Sequence, residues 1–304
     1  MYNKHKFMEE NIYKKQSGNV LKTWIFFILF SLLVGLVGFL LASYFDNPLF
    51  FYLGTFISIG MSIWSYWFSS GLVLKMANAR ELGEDENPDL QKSVRSLATA
   101  SGLPMPKIYI VDDVSPNAFA TGRDPAHGVI AFTTGILSLL NKEELEGVIA
   151  HELSHISNRD TLIMTVVAVM ANIIQSIAHY MYFFSGSRND NGSNNIVASI
   201  VATIVIAILA PLTATLIQLA ISRSREFQAD ESGIILTKYP QGLANALRKI
   251  EAFPQGMQNV NPTIAHLFIA NPEKEEGTHH TPWYIKLFMT HPPVEDRVVA
   301  ILEK

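Results

Sequence analysis

The sequence predicts a mainly α-helical integral membrane protein, with about four transmembrane helices and an α+β portion built around a small sheet in the cytoplasm. Three observations carry this. Of 304 residues, 49% are hydrophobic and the mean hydropathy is +0.21, high for a chain that lives wholly in water. The apolar residues gather in four runs, 23–42, 49–68, 161–184 and 196–221, none containing Lys, Arg, Asp or Glu. About 20 residues at 1.5 Å each match a hydrocarbon core of about 30 Å. Between and after these runs lie two polar stretches in which short strand-like segments alternate with capped, amphipathic helices.

The elements follow in order. A tail over residues 1–22 carries Lys4, Lys6, Lys14, Lys15 and Lys22. The first apolar run is too long for a cleaved leader, and a second follows almost at once, so 23–68 reads as a transmembrane hairpin. Lys75 and Arg80 follow the second run, Arg223 and Arg225 the fourth, while the links 43–48 and 185–195 hold only Arg188. This bias places the tail, residues 78–160 and residues 222–304 in the cytoplasm, with 161–221 as a second hairpin of a multi-pass cell-membrane protein. In the first polar stretch, Asn87-Pro88 opens a helix that Gly102 ends. Strand-like runs at 107–111, 118–121 and 129–132 are separated by turn-rich Ser115-Pro116-Asn117 and Gly122-Arg123-Asp124-Pro125. Asn141 then caps a helix, with Glu144 at the capping-box position and Leu145, Val148, Ile149, Leu153 and Ile156 on its apolar face. The second stretch holds a helix through Glu226 and Asp230, one over 241–253, a loop, and a terminal helix from Pro292-Pro293. The chain has no cysteine, which excludes disulfides and thiolate ligands. A formal charge of -4 gives no reason to expect nucleic acid as a partner.

The Asn141-capped helix contains His151-Glu152-Leu153-Ser154-His155. Residues four apart share a helix face, so both imidazoles can address one ion, and Glu152 can reach a water on it without binding. Zinc suits such nitrogen and oxygen donors, and a catalytic site has three protein ligands with one position open. Downstream, Glu226 and Asp230 are again four apart. Glu226 is the candidate third ligand, and Asp230 the candidate acceptor for the distal N–H of a ligating histidine. Two apolar runs separate His155 from Glu226, an even number of crossings, as a shared ion requires. Both ligands stand a few residues from those runs, which puts the site within roughly 10 Å of the bilayer.

With paired N-terminal spans, the HELSH pentapeptide, a second apolar pair, Arg225-Glu226-Phe227-Gln228-Ala229-Asp230 and the late run from His291 through Arg297, the chain resembles the HtpX-like membrane zinc metallopeptidases, relatives of the type I CAAX prenyl proteases. The resemblance covers nearly the whole sequence. It implies a zincin-type, gluzincin-like protease domain with one catalytic zinc on His151, His155 and Glu226. It also implies Glu152 as general base, Asn117, Ala118 and Phe119 as a substrate-aligning edge strand, and His291 and Arg297 as catalytic groups that hold substrate or stabilise the transition state. Polypeptide substrates, membrane or misfolded proteins in quality control and stress response, are what it further implies; no residue shows this.

A zinc-binding membrane scaffold without turnover is the alternative, since it would share the ligands and not need Glu152. Asn172, Gln175 and His179 recur on one face of the third run, as interhelical hydrogen bonding or a polar cavity requires. His179 is too far along the run to be a ligand. His266 is expected to be structural, His279 and His280 solvated, and His127 has no assigned role.

Overall fold

The computed structural model describes residues 2–186, 222–258, 260–272 and 292–303. Helix α1 (Tyr2–Tyr44) turns through Asp46 into α2 (Leu49–Met76) to make an antiparallel hairpin. There follow β1 (Ala79–Glu81), α3 (Pro88–Ala100), β2 (Lys107–Val111), β3 (Ala118–Thr121) and β4 (Val129–Thr133). The helices α4 (Thr134–Leu139), α5 (Lys142–Ser157) and α6 (Asp160–Gly186) come next. The later described part holds α7 (Arg223–Thr237), α8 (Pro240–Ala252), a 3-10 turn (Pro262–Leu267) and α9 (Val294–Leu302).

Two of these helices, over Gln16–Ser43 and Leu49–Met76, are long and apolar enough to cross a membrane. Their outward faces leave Trp24, Leu32, Leu36, Phe56 and Trp67 more than half exposed, as a lipid-facing surface would. On the inward face of α2, Ser58, Ser62, Ser65 and Ser69 are buried at helical spacing, and small side chains there allow close helix approach.

The third expected span is different in kind. Residues 162–171 of α6 are buried throughout, packed against α1, α2 and the 3-10 turn. Over this stretch protein rather than lipid surrounds the helix, and either environment selects the same apolar residues. Two helices among the described residues therefore qualify as spans, not four. The fourth expected span, 196–221, lies outside the described residues.

The sheet is mixed, in the order β1-β2-β4-β3, with β2 and β4 parallel and both outer pairs antiparallel. The α5 helix crosses beneath it, fixed at its start by a full capping box. Asn141 accepts from the Glu144 N–H at 2.9 Å, and Glu144 accepts from the Asn141 N–H at 3.0 Å. At Gly147 a Cβ would stand 2.7 Å from the Leu243 nitrogen, so α5 and α8 pack backbone to backbone. Val148, Ile149, Leu153 and Ile156 of α5 join Ile130 and Phe132 of β4 and Leu247 of α8 in one core. A rigid helix carrying the histidines is the result.

Candidate metal centre

His151, Glu152 and His155 project from α5, Glu226 and Asp230 from α7, and Arg297 from α9, all at most 5% exposed. The two ligand-bearing helices lie close enough that a Cβ on Gly233 would sit 3.2 Å from the His151 nitrogen. His151 Nε2 and His155 Nε2 are 3.2 Å apart, and the Glu226 oxygens lie 3.7 Å from the first and 3.6 Å from the second.

The far side of each imidazole is anchored by a carboxylate. His151 Nδ1 is 2.9 Å from Asp230 Oδ1, and His155 Nδ1 is 3.1 Å from Asp160 Oδ2. A carboxylate only accepts, so each ring in its neutral form carries its hydrogen on Nδ1 and turns an Nε2 lone pair inward. Two lone pairs and a carboxylate thus converge on one point with no donor between them, an arrangement that a cation resolves. Ligands about 2.0–2.1 Å from zinc in a tetrahedron lie about 3.3–3.4 Å apart, close to the separations here. The donor set fits.

Arg297 is fully buried. It donates from Nε and Nη2 to the two Asp230 oxygens at 2.9 and 2.7 Å, and from Nη1 to the Ile269 carbonyl at 3.1 Å. Its Nη2 also comes within 3.4 Å of His151 Nδ1, but both are donors in this tautomer, so no bond forms. Burial works against the Asp230 charge, yet the Arg297 guanidinium and the His151 bond hold that carboxyl below its ordinary range. Burial lifts Glu152 to about 7, with Glu226 pushing the same way against His155, Arg297 and the nearby Ala120 backbone N–H. Burial lowers His151 to about 4 in spite of Asp230. Burial also opposes charge on His155, but Asp160 and Glu226 outweigh it and raise that group to about 9.

Other expected residues fall elsewhere. Asn117, Ala118 and Phe119 do lie at the sheet edge, but its outer side is taken by the chain itself. Ile269 N–H donates to the Ala118 carbonyl at 2.9 Å, Asn117 is tied to both backbone groups of Ala270, and the Phe119 and Phe268 rings meet at 5.0 Å. Asn172 is half-buried and Gln175 exposed. His266 is buried with Nε2 3.3 Å from the Met164 carbonyl, a structural place. His127 is an exposed partner of Asp124. His291, His279, His280 and the His179 side chain lie outside the described residues. The sequence reading missed Asp160; its signal was a lone carboxylate five residues past His155, opening the next helix.

Residues 84–304 match the profile of Peptidase family M48. A "Protease HtpX homolog" of Pyrococcus furiosus is 47% identical over 247 residues, covering 80% of this chain and 82% of that protein. Another of Paraburkholderia phytofirmans is 44% identical over 252 residues, covering 81% and 85%. The crystal structure of S. mikatae Ste24p aligns with a TM-score of 0.45 and 20% identity, over 92% of this chain and 67% of that one. A profile spanning most of the chain and relatives this similar over four-fifths of it settle the matter: the chain belongs to peptidase family M48 and is a metallopeptidase.

Proposed function

We propose that the chain is a zinc endopeptidase of the cell membrane, multi-pass, with its site on the cytoplasmic side, cutting membrane or misfolded polypeptides in quality control. The observation that carries the chemistry is the convergence of His151 Nε2, His155 Nε2 and a Glu226 oxygen, all within 4.8 Å of one another. The cytoplasmic placement rests on the lysine and arginine bias, and the membrane on α1 and α2. Zinc held by these three residues supplies a Lewis acid that polarises a carbonyl and brings the pKa of water towards 7.

The chain's own residues do the rest. Glu152 takes a proton from the attacking water as its oxygen bonds to the peptide carbon. It then delivers that proton to the amine nitrogen as the C–N bond breaks. Burial raises this carboxyl above the ordinary carboxylate range, towards the neutral pH at which both transfers take place. Asp230 holds the His151 ring, and Arg297 holds Asp230; in this role Arg297 is a positioning residue and not a substrate contact. An extended substrate pairs with the β3 edge at residues 117–119 once residues 268–270 leave it, because Ile269 uses the carbonyl that a substrate strand needs. His291 is assigned the oxyanion by the family resemblance.

The test is Glu152→Gln in the purified full-length chain. Cleavage of a membrane-protein substrate should fall by about 10²–10⁴-fold while zinc stays bound at the same stoichiometry. Undiminished turnover would remove Glu152 from the role of base. Zinc without turnover in the intact chain would favour the scaffold.

A further inference from the structure

The metal centre has one anchor from outside the protease region. Arg159 takes a left-handed conformation (φ 57°), which turns the chain sharply between α5 and α6 and brings Asp160 back beneath His155. Asp160 Oδ2 faces His155 Nδ1 at 3.1 Å; its Oδ1 accepts at 2.8 Å from Nδ2 of Asn19, on α1. The same amide nitrogen donates at 3.0 Å to the Asn158 carbonyl, so both of its hydrogens are used. Asn19 and Asp160 are 6% and 3% exposed. A carboxylate pinned at one oxygen has the direction of its other oxygen fixed, and here that other oxygen sets the plane of a ligand ring. The family profile begins at residue 84, so Asn19 lies outside it, 141 residues from its partner.

We propose that Asn19 is a positioning residue for the metal centre: through Asp160, the first membrane helix holds His155 in its ligating orientation. The proposal rests on the zinc reading above. A neighbouring bond supplies an internal control. Gln16 Nε2 donates to the Ser157 carbonyl at 2.7 Å and so also clasps α1 to the end of α5, but that bond involves neither Asp160 nor His155.

The experiment is a Zn²⁺ competition titration against a chelator, on the full chain in detergent, with the absorption spectrum of the Co²⁺-loaded form recorded alongside. Losing an outer partner of a ligand weakens metal binding by about 10–100-fold, so Asp160→Asn should fall in that range and Asn19→Ala, one bond further out, by about three- to tenfold. In the Asp160→Asn background, Asn19→Ala should add nothing. Gln16→Ala should leave Zn²⁺ affinity within about twofold even where it lowers the melting temperature, because a tether is lost and the ring is not released. The Co²⁺ bands should shift in Asn19→Ala and not in Gln16→Ala. If Asn19→Ala does not fold, isosteric Asn19→Asp, which sets a second carboxylate against Asp160, is read by the same titration. Unchanged affinity in the Asn19 variant, additive losses with Asp160→Asn, or an equal loss in Gln16→Ala would each overturn the relay. Failure of the intact chain to bind Zn²⁺, or binding that survives His155→Ala, would defeat the zinc reading itself, which separates the two.

Discussion

Replacing Arg297 with methionine distinguishes a buried brace from a substrate contact. The change keeps an unbranched apolar stem but removes three donors from Asp230 and the Ile269 carbonyl. Asp230 then keeps only His151 as a described partner while remaining 2% exposed. Breaking a buried pair from one side costs about 3–5 kcal/mol, since the remaining charge is uncompensated. For a body of this size each kcal/mol lowers the melting temperature by about 2–4 °C, so the variant should melt about 6–20 °C below the intact chain. Adding Asp230→Leu removes the stranded charge, and most of that stability should return. Metal affinity should not return with it, because His151 Nδ1 now lacks its acceptor; a loss of about 10–100-fold is expected. The assay is thermal unfolding in one detergent at one scan rate, paired with Zn²⁺ competition. A variant with unchanged melting temperature and metal affinity but a raised KM would refute the argument and return Arg297 to the substrate.

Two further outcomes follow from the same geometry. The acid limb of kcat/KM should fall at or below pH 7, because burial lifts Glu152 to about 7 without a cation beside it and a bound cation pulls it down; Arg297→Met should move that limb to higher pH, and an inflexion well above 7 in the intact enzyme would exclude Glu152 as its origin. Gly147→Ala forces a methyl to within 2.7 Å of the Leu243 backbone and should destabilise by about 1–3 kcal/mol, read as a lower melting temperature; an unchanged one would mean α5 and α8 can part freely.

Local signals were legible in the sequence. The Asn141 cap and its Glu144 partner are three residues apart and declare the start of α5 without tertiary help. The pairs His151/His155 and Glu226/Asp230 need only helical spacing to share a face, and the strand runs at 107–111 and 118–121 match β2 and β3. What stayed hidden depends on who the neighbours are. Residues 162–171 are apolar whether lipid or protein surrounds them, so hydropathy alone cannot separate the two. Arg297, a charged side chain on a short amphipathic helix, has the pattern of a solvated residue or substrate contact; only its burial against Asp230 shows otherwise. Asn19 and Asp160 are joined across 141 residues, beyond any local pattern. The β3 edge looked free because residues 268–270, which cover it, form a single isolated bridge rather than a strand with its own signature.

The buried groups around the metal position also define a charge balance. Among the described residues there are four carboxylates, Glu152, Asp160, Glu226 and Asp230, against two guanidiniums, Arg225 and Arg297, of which the first is nearly buried and the second wholly so. With both imidazoles neutral and all four carboxylates ionised, four against two leaves a formal balance of two negative charges. A divalent ion cancels them, a monovalent ion leaves one standing, and a trivalent ion overshoots. Protons are the other source of positive charge small enough to enter, so acid and metal compete for one place, and loading the site must expel what the empty pocket had taken up.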